Sequence, residues 1–592
     1  MVMIGLFLVT SSSCKDYLDT ESKTNLTDNT MWVNETNADI YFNSCIAQLA
    51  PKWWKDTEDN FSDDFETASG NCFASYFWKS GVVNASTDNY TTYGDTGVGS
   101  YFSNWPGTYT KIRGINTFIQ KIKENSSNFS EEWIAKRLDE ARFLRAYFYS
   151  ELFVRTGGLV LLTKPLDRTK DDLDSPRSTF EQTFNFIVAD LDTVINNGKL
   201  KIKYNHGDSD GGRPTIGAAL CLKGWIQLFA ASPAYNSAEP ACPDANNLQH
   251  FASSNVNRWK NAAETNKKFI DTYGPNGTGD YGLFSDMTKF WDESEEYNKE
   301  VIWDKNRVGV TLANNLNHYG VGPTWIHNVY YNWGDFNPTE ELVEEYQMAD
   351  GKNITDQGSG YDDQNPFVGR ENRFYQFICY DGCVYKQDWM TSADTIRYRI
   401  DKVNPSKNEI DYKGTNKDGT KTGYDVIKRV DHYNSPTNYG NCGMNHVYYR
   451  YAEVLLNYAE AQNEAVGPDA SVYKAINAIR TRTGTDLPEL PTGLSQDEMR
   501  TAIRHERRIE LMFEDKRIWD LLRWKIAEEV LNNPVHVCKI TNSSPDDNKG
   551  KWVITRPETA NMNHVFSQKM YFNPIPQSAI DRNPKLIQNY GY

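Results

Sequence analysis

Apolar residues recur at helical spacing along most of this chain, and the pattern predicts a protein built mainly of helices. Tyr451, Val454 and Tyr458 repeat at i, i+3 and i+7, while glutamates line the opposite face. A second helical pattern follows Gly467, so the two form a helix-turn-helix unit of tetratricopeptide type without a strict repeat register. Earlier pairs are predicted at 112–123 with 131–153 and at 180–195 with 216–231.

Residues 503–524 predict one long helix that carries an unusual density of charge. Ser495 and Glu498 form a capping box ahead of it, and large residues such as Phe513 fall on its apolar side. Arginines and glutamates occupy the other side at spacings that allow ion pairs three residues apart. Either this face is solvated, or Glu510 joins a partly buried network that supports the scaffold and does not touch ligand.

The middle of the chain, at about 238–365, loses this regular pattern and becomes rich in Gly, Asn, Pro and aromatic residues. Long loops with their own aromatic residues are usually functional. Short apolar runs such as 300–304 stand within this region, and Asn337 with Pro338 predicts the start of a helix that ends near Gly351. No low-complexity linker in the sequence divides the chain into independent domains.

Five segments are distinctive in their order and spacing. They are EARFLRAYFYSELFVRTGGLVLLTKPLD at 140–167, PTEELVEEYQMADGK at 338–352, YYRYAEVLLNYAEAQNEA at 448–465, IRHERRIELMFEDKRIWDLLRW at 503–524 and FNPIPQSAIDRNPKLIQNYGY at 572–592. Together they resemble the SusD/RagB family, the surface nutrient-binding lipoproteins of Bacteroidetes.

This resemblance covers essentially the whole chain after residue 13. It implies a mostly α, SusD-like fold, in which tetratricopeptide-type helix pairs form a scaffold beside an irregular, loop-rich ligand-binding lobe with a few short strands. It also implies a single unit at 14–592, with an N-terminal part at about 14–300 and a C-terminal RagB/SusD part at about 301–592.

Composition narrows the class of ligand. The 592 residues exceed the usual size of one compact core. Acidic residues outnumber basic ones, 79 to 63, for a formal net charge of -16, and no Lys/Arg block concentrates positive potential, which disfavours nucleic acid as a partner. Aromatic residues make up 13% of the chain, more than a helical core needs, which places rings at binding surfaces.

The N-terminus has the pattern of a bacterial lipoprotein signal. An apolar run at 2–9, too short to span a bilayer, is followed by three serines and Cys14. Residues 1–13 are therefore predicted to be a signal peptide, and Cys14 the acylated first residue of the mature protein. Lys15 and Asp16 resemble the charged signal that directs such lipoproteins to the outer face of the outer membrane. The alternative is a frayed N-terminus with an incidental cysteine.

Motifs for catalysis are missing from the sequence. Nine histidines are dispersed without an HExxH or GxSxG pattern, so no catalytic residue, metal site or cofactor is predicted. Asp208 and Asp210 fit a solvated loop better than a cation site, because the loop lacks the glutamate that completes an EF-hand. Cys379 and Cys383 flank a predicted hairpin, where either a disulfide or two buried thiols is possible.

Carbohydrate binding is the better supported chemistry. A sugar offers an apolar C–H face and a rim of hydroxyls, so its receptor needs exposed rings beside carboxylates, amides or arginines. Rings in FASYFWKSG and PTWIHNVYYNWGDF lie in segments without helical periodicity, at positions where the family places ligand residues. Core packing is the alternative for each ring. The predicted ligand residues are Asp63, Asp64, Trp78, Trp325, Tyr330, Trp333 and Arg370.

Arg370 is included because Arg370 and Arg373 resemble the family's Arg-Asp-Pro-Arg motif, although Glu371 and Asn372 replace its middle pair. Arg373 is predicted to be structural, whereas the planar fork of Arg370 suits vicinal hydroxyls or a carboxylate.

The resemblance implies a glycan-binding lipoprotein, anchored by lipid in the outer membrane and exposed at the cell surface. Such a protein captures an oligosaccharide or polysaccharide, performs no chemistry on it, and delivers it to a TonB-dependent, SusC-like outer-membrane transporter. The alternatives are a secreted glycosidase and a helical-repeat adhesin or peptide-binding surface protein.

Overall fold

The computed structural model describes residues 28–49, 57–67, 73–86, 91–92, 96–97, 104–306, 336–388, 390–400, 420–430, 432, 444–542, 552–559 and 564–592. The helices are α1 (Asp28–Met31), α2 (Glu35–Ala47), α3 (Phe73–Lys79), α4 (Trp105–Glu124), α5 (Glu131–Thr156), α6 (Phe180–Asn197), α7 (Ile216–Ala231), α8 (Asn257–Tyr273), α9 (Glu340–Glu345), α10 (Asn372–Phe377), α11 (Tyr451–Val466), α12 (Ala470–Arg480), α13 (Gln496–Glu510), α14 (Arg517–Arg523), α15 (Ala527–Val530) and α16 (Gln577–Arg582). The strands are β1 (Phe65–Glu66), β2 (Thr91–Thr92), β3 (Thr96–Gly97), β4 (Val301–Lys305), β5 (Asn337–Pro338), β6 (Ile378–Cys379), β7 (Val384–Tyr385), β8 (Asp394–Thr395), β9 (Arg399–Ile400), β10 (Asp425–Val426), β11 (His446–Arg450), β12 (Lys539–Asn542) and β13 (Trp552–Thr555).

The long helices form one packed array. Helices α4 to α8 pack each against the next, and α11 then packs on α8, although about 180 residues separate them. Side-chain caps begin α5, α6 and α7, and at α6 Thr179 and Gln182 form a capping box. Ser495 and Glu498 form the predicted capping box at α13. The predicted helix pairs are confirmed, and their apolar faces share one large core.

Short strands build a second core beside this array. Strand β1 pairs with β5, β4 with β11, and β6 with β10, all antiparallel, while β12 lies between antiparallel β13 and parallel β9. Phe65, Phe336, Phe374 and Phe513 meet in the core between them. The early segment 57–67 is thereby fixed to the C-terminal half of the chain. None of the helices in the described ranges is long and apolar enough to cross a membrane.

The predicted single helix over 503–524 is wrong, because the chain turns sharply in its middle. Helix α13 ends at Glu510, and α14 begins at Arg517. Between them, Phe513 and Asp515 adopt left-handed φ values of 60° and 61°. The backbone N–H of Asp515 donates to Asp59 Oδ2 at 2.9 Å, so a contact with the early segment holds the turn. Helical spacing alone does not reveal such a distant partner.

The helix predicted to start at Asn337 also begins later and is shorter. Asn337 and Pro338 belong to strand β5, and Thr339 is the N-cap, whose hydroxyl accepts from the Leu342 N–H at 3.3 Å. Helix α9 ends at Glu345, well before Gly351.

Candidate ligand-binding site

Four residues with predicted functional roles lie outside the described residues. Cys14 precedes the first described segment, and Trp325, Tyr330 and Trp333 lie in 307–335. Their roles therefore remain predictions. The other predicted ligand residues, Trp78, Asp63, Asp64 and Arg370, have defined surroundings in the structure.

Trp78 is a core residue in the structure. It lies on α3, is 4% exposed, and its ring centroid is 5.8 Å from that of Phe61 and 5.6 Å from that of Phe566. The expectation that it forms an exposed stacking platform is therefore corrected, and the core-packing alternative describes it. Tyr76 is 47% exposed, because residues two apart on a helix point to nearly opposite sides. Of Tyr76, Phe77 and Trp78, Tyr76 is thus the exposed ring.

Asp63 and Asp64 point inward and accept from two arginines. Arg517 Nε and Nη2 donate to the two carboxylate oxygens of Asp63 at 2.9 Å each, and Arg508 Nη2 donates to Asp63 at 2.9 Å. Arg508 Nε donates to Asp64 at 2.8 Å. Burial opposes ionisation of Asp63, but Arg517 and Arg508 outweigh it and hold its pKa well below the usual range. These carboxylates tie the early segment to α13 and α14.

Arg370 uses its guanidinium to hold the backbone. The residue is 2% exposed, and its Nη1 donates to the Pro366 carbonyl at 2.9 Å. Its Nη2 donates to the carbonyls of Val343 and Tyr346 at 2.5 and 2.7 Å, just where α9 ends. The predicted fork of donors is present, but it satisfies carbonyls at a helix C-terminus instead of facing a ligand.

Behind these residues lies a central charge network. Glu510 is fully buried; it accepts from Arg450 Nη1 at 2.7 Å, Arg482 Nη2 at 2.9 Å and Arg373 Nη1 at 3.1 Å. Burial opposes its ionisation, but the surrounding guanidinium groups, Arg482 first, hold its pKa well below the usual range. The network comprises Glu300, Glu371, Glu506, Glu510, Glu514, Arg373, Lys428, Arg450, Arg480 and Arg482.

The network confirms that Arg373 is structural and that Glu510 supports the scaffold. Its ion pairs join separate elements, however, and do not run along one helix as the sequence suggested. Five carboxylates face five cationic groups, so the charges balance inside the protein.

A polar cluster lies at the C-terminal end of β4, and we call it the β4 rim: Glu296, Tyr297, Asp304, Asn306 and Asn445. Asn445 Nδ2 donates to Asp304 Oδ2 at 2.9 Å, and its backbone N–H donates to Glu296 Oε1 at 2.9 Å. The Tyr297 hydroxyl donates to Asn306 Oδ1. The side chain of Asn306 is exposed, and Tyr297 is half-buried.

Two glycines make room for the β4 rim. A Cβ at Gly211 would lie 2.6 Å from the Tyr297 hydroxyl, and one at Gly212 would lie 2.8 Å from Asn306 Oδ1. Tyr297 itself has a left-handed φ of 60°, a conformation that is uncommon for a bulky residue and clusters at functional sites. The Gly-Gly pair therefore allows the ring and the amide to meet at the end of β4.

Burial changes the protonation of the two carboxyls in the β4 rim. It raises the pKa of Asp304 to about 7 and that of Glu296 to about 8. Near neutral pH these groups are partly protonated, so each can donate as well as accept a hydrogen bond. A sugar hydroxyl does the same, which makes the β4 rim chemically suited to carbohydrate.

A surface depression of about 500 Å³ adjoins Tyr297. Lysines at 201, 203 and 299 line it together with Asn205 and Asp280. Lys203 Nζ donates to the Asn298 carbonyl at 2.6 Å, and burial lowers its pKa to about 8. The depression combines a ring edge, an amide and cationic donors, all of which contact sugars readily.

A larger groove of about 750 Å³ lies between α9, the 347–356 loop and α13. Seven of its 21 lining residues are acidic, and none of these described lining residues is Phe, Tyr or Trp. Without a ring for the apolar sugar face, this groove fits carbohydrate less well than the β4 rim.

Metal-binding geometry is not found in the described ranges, where no group of three His, Cys, Asp or Glu side chains is arranged to hold an ion. Asp208 pairs with Lys201 at 3.3 Å, and Asp210 pairs with Lys136 at 2.8 Å and Arg213 at 3.1 Å. Lysine and arginine thus take the place that a cation would occupy in this loop.

Comparisons with known proteins agree with the fold. A family model described as the SusD family matches residues 299–592, and one described as "Starch-binding associating with outer membrane" matches residues 16–197. SusD-like protein P38 of Formosa agariphila is 22% identical over 553 residues, which cover 90% of this chain and 92% of that protein.

Solved structures are similar over nearly the whole chain. A SusD-like protein of Bacteroides fragilis has a TM-score of 0.74 at 26% identity, covering 96% of this chain and 99% of that one. A SusD-like carbohydrate-binding protein of the same species has a TM-score of 0.71 at 22% identity, covering 94% and 100%. The predicted mostly α, SusD-like fold is confirmed, and the chain belongs to the SusD/RagB family.

Proposed function

We propose that this protein is a glycan-binding lipoprotein of the cell surface that delivers oligosaccharide or polysaccharide to a TonB-dependent, SusC-like transporter. Membership of the SusD/RagB family carries this proposal, because one matching family model is described as starch-binding and associating with the outer membrane. A similar solved structure is likewise that of a carbohydrate-binding protein. Acylation of Cys14 would hold the protein at the membrane, with stable anchoring if more than one chain is attached.

In this proposal the sugar binds beside the β4 rim. Trp325, Tyr330 and Trp333 provide stacking rings, and their segment follows Asn306 directly in the chain. Asn306 and the carboxyl of Glu296, which its raised pKa keeps mostly protonated near neutral pH, then hydrogen-bond sugar hydroxyls. Trp78, Asp64 and Arg370 are buried, and Asp63 is paired with Arg508 and Arg517, so the proposal assigns all four residues to the scaffold.

The proposed protein binds without chemistry. Asp63 and Asp64, the adjacent carboxylates considered for glycosidase chemistry, are both paired with Arg508. Glycosidases instead hold two carboxyls about 5–10 Å apart across the scissile bond.

Calorimetry of Trp325→Ala tests the ring assignment, with a glycan identified by screening a panel against the parent protein. We expect a loss of at least ~2 kcal/mol, roughly thirtyfold in affinity, because a central ring is a typical binding hot spot. Tyr590→Ala is the matched control, since this residue is 41% exposed and its backbone N–H donates to Gln249, which is not a residue of the β4 rim. Unchanged affinity in Trp325→Ala, or equal losses in both variants, would remove Trp325 from the site.

A further inference from the structure

Two buried cysteines meet at the turn that follows β6. Cys379 Sγ and Cys383 Sγ are 3.1 Å apart, which is closer than ordinary van der Waals contact. Three residues separate the two cysteines in the sequence. Strand β6 pairs with β10, and β7 pairs with β8, so the two sulfurs meet across the turn and not across a pair of strands. The remaining described cysteines, Cys45, Cys221, Cys242 and Cys538, are buried free thiols.

Backbone contacts hold the turn in the shape that brings the sulfurs together. The Cys383 N–H donates to the Tyr380 carbonyl at 3.1 Å, and the Gly382 N–H donates to the Ile396 carbonyl at 2.8 Å. Gly382 has a φ of +93°, and a Cβ there would lie 2.8 Å from Arg397 Nη1. The folded backbone of the turn therefore places the two cysteines close together.

The surroundings of the pair are apolar and closed. Ile396, Tyr385 and Tyr398 form a small core around it, and the Tyr398 hydroxyl lies 3.3 Å from Cys379 Sγ. Burial raises the pKa of the Cys379 thiol well above its usual value, so in the folded protein this group is a poor nucleophile. A covalent bond between the sulfurs has to form while the turn is still accessible, during folding.

We propose that Cys379 and Cys383 form a disulfide when the protein folds in an oxidising compartment. The sulfurs need to approach by only about 1 Å to reach the bonded distance of roughly 2.05 Å. Their position inside one tight turn requires no rearrangement of distant elements.

The reaction needs an oxidant, which we assign to the class of protein or small-molecule disulfides. The thiolate of one cysteine attacks the oxidant's disulfide, forms a mixed disulfide and releases one oxidant thiol. The thiolate of the second cysteine then attacks the cysteine sulfur of the mixed disulfide and releases the second oxidant thiol. Two electrons and two protons pass from the cysteine pair to the oxidant, and one intramolecular S–S bond forms.

Peptide mapping tests whether the disulfide between Cys379 and Cys383 is present in the full chain, which is produced by export through an oxidising periplasm. The protein is quenched in acid, unfolded in guanidinium and alkylated with iodoacetamide, with or without prior reduction. Trypsin then releases residues 374–386, which contain only Cys379 and Cys383, and residues 204–223, which contain only Cys221. The second peptide is the matched control for access of the reagent, because Cys221 is also buried in the folded protein.

Without reduction, we expect peptide 374–386 to lack alkyl groups and to be lighter by two hydrogen atoms than its reduced form. After reduction it should gain two alkyl groups, while Cys221 is alkylated in both samples. Two alkyl groups on 374–386 without reduction would overturn the proposal, and so would a bond from either cysteine to another peptide. The readout involves no sugar, so its failure would leave the proposed glycan binding unaffected.

Discussion

Replacing Glu510 by alanine tests whether the central charge network stabilises the fold and stands apart from ligand binding. Glu510 is completely buried and accepts three hydrogen bonds from Arg450, Arg482 and Arg373, at 2.7, 2.9 and 3.1 Å. The substitution removes the one carboxylate that contacts all three guanidinium groups. Each arginine then remains buried with fewer countercharges.

The expected loss in free energy of unfolding is about 4 kcal/mol, because removing one partner of a buried, hydrogen-bonded ion pair typically costs roughly 3–5 kcal/mol. A loss of the full 5 kcal/mol is not expected, since Glu300, Glu506 and Glu514 still neutralise part of the charge on the arginines. A smaller loss is not expected either, because water cannot easily reach this interior to solvate the arginines.

Two further variants separate charge from volume. Glu510→Gln keeps the side-chain volume but removes the charge, so it should lose most of the same free energy if stranded arginines are the cause. Glu489→Ala removes an exposed carboxylate with no hydrogen-bond partner in the described part of the chain, and should change stability by less than about 0.5 kcal/mol. Denaturant unfolding followed by tryptophan fluorescence gives the three values.

The reasoning would be refuted if Glu510→Ala were as stable as the parent. A stable Glu510→Ala protein that no longer binds glycan would also transfer this residue from the scaffold to the binding site. A harmless Glu510→Gln beside a damaging Glu510→Ala would show that packing, and not charge, accounts for the loss.

Two other predictions follow from burial. Trp78→Ala should lower the free energy of unfolding by about 3–5 kcal/mol, because it removes a large ring from the core. Denaturant unfolding curves measure this loss. A stable variant with weakened glycan binding would instead show that Trp78 is a stacking platform for the sugar. In the folded protein the pKa of Asp304 is raised from 3.8 to about 7. Its favourable contribution to the free energy of unfolding is therefore complete below pH 3.8 and is lost as pH rises through 7. Asp304→Asn removes this loss, which is roughly 4 kcal/mol at most. Unfolding at pH 5 and pH 8 should therefore show the variant gaining stability on the parent as pH rises, and a constant difference would contradict the raised pKa.

Helical spacing allowed the scaffold to be predicted because it is a local property of the sequence. The pattern of Tyr451, Val454 and Tyr458 correctly indicated α11, and Ser495 with Glu498 correctly indicated the start of α13. The break after Glu510 could not be predicted in this way, since it depends on a contact with Asp59, about 450 residues away.

The candidate site was harder to predict, because side-chain chemistry does not show which groups are already occupied inside the fold. Arg370 has the fork of donors that a sugar would suit, but backbone carbonyls occupy it. Trp78 lies in a helix of seven residues, which is too short to show a clear period in the sequence. The β4 rim was missed, because Tyr297 and Asn445 are far apart in the chain; the Gly211–Gly212 pair was its only local signal.

Glycan capture without chemistry is the central claim, and equilibrium binding combined with product analysis tests it most directly. The mature protein is titrated in a calorimeter with a panel of purified polysaccharides and oligosaccharides, and each sugar is then recovered and analysed by size and reducing ends. We predict saturable binding to at least one glycan, which is recovered at its original length. Shortened products with new reducing ends, or saturable binding to a peptide and to no glycan in the panel, would contradict the account.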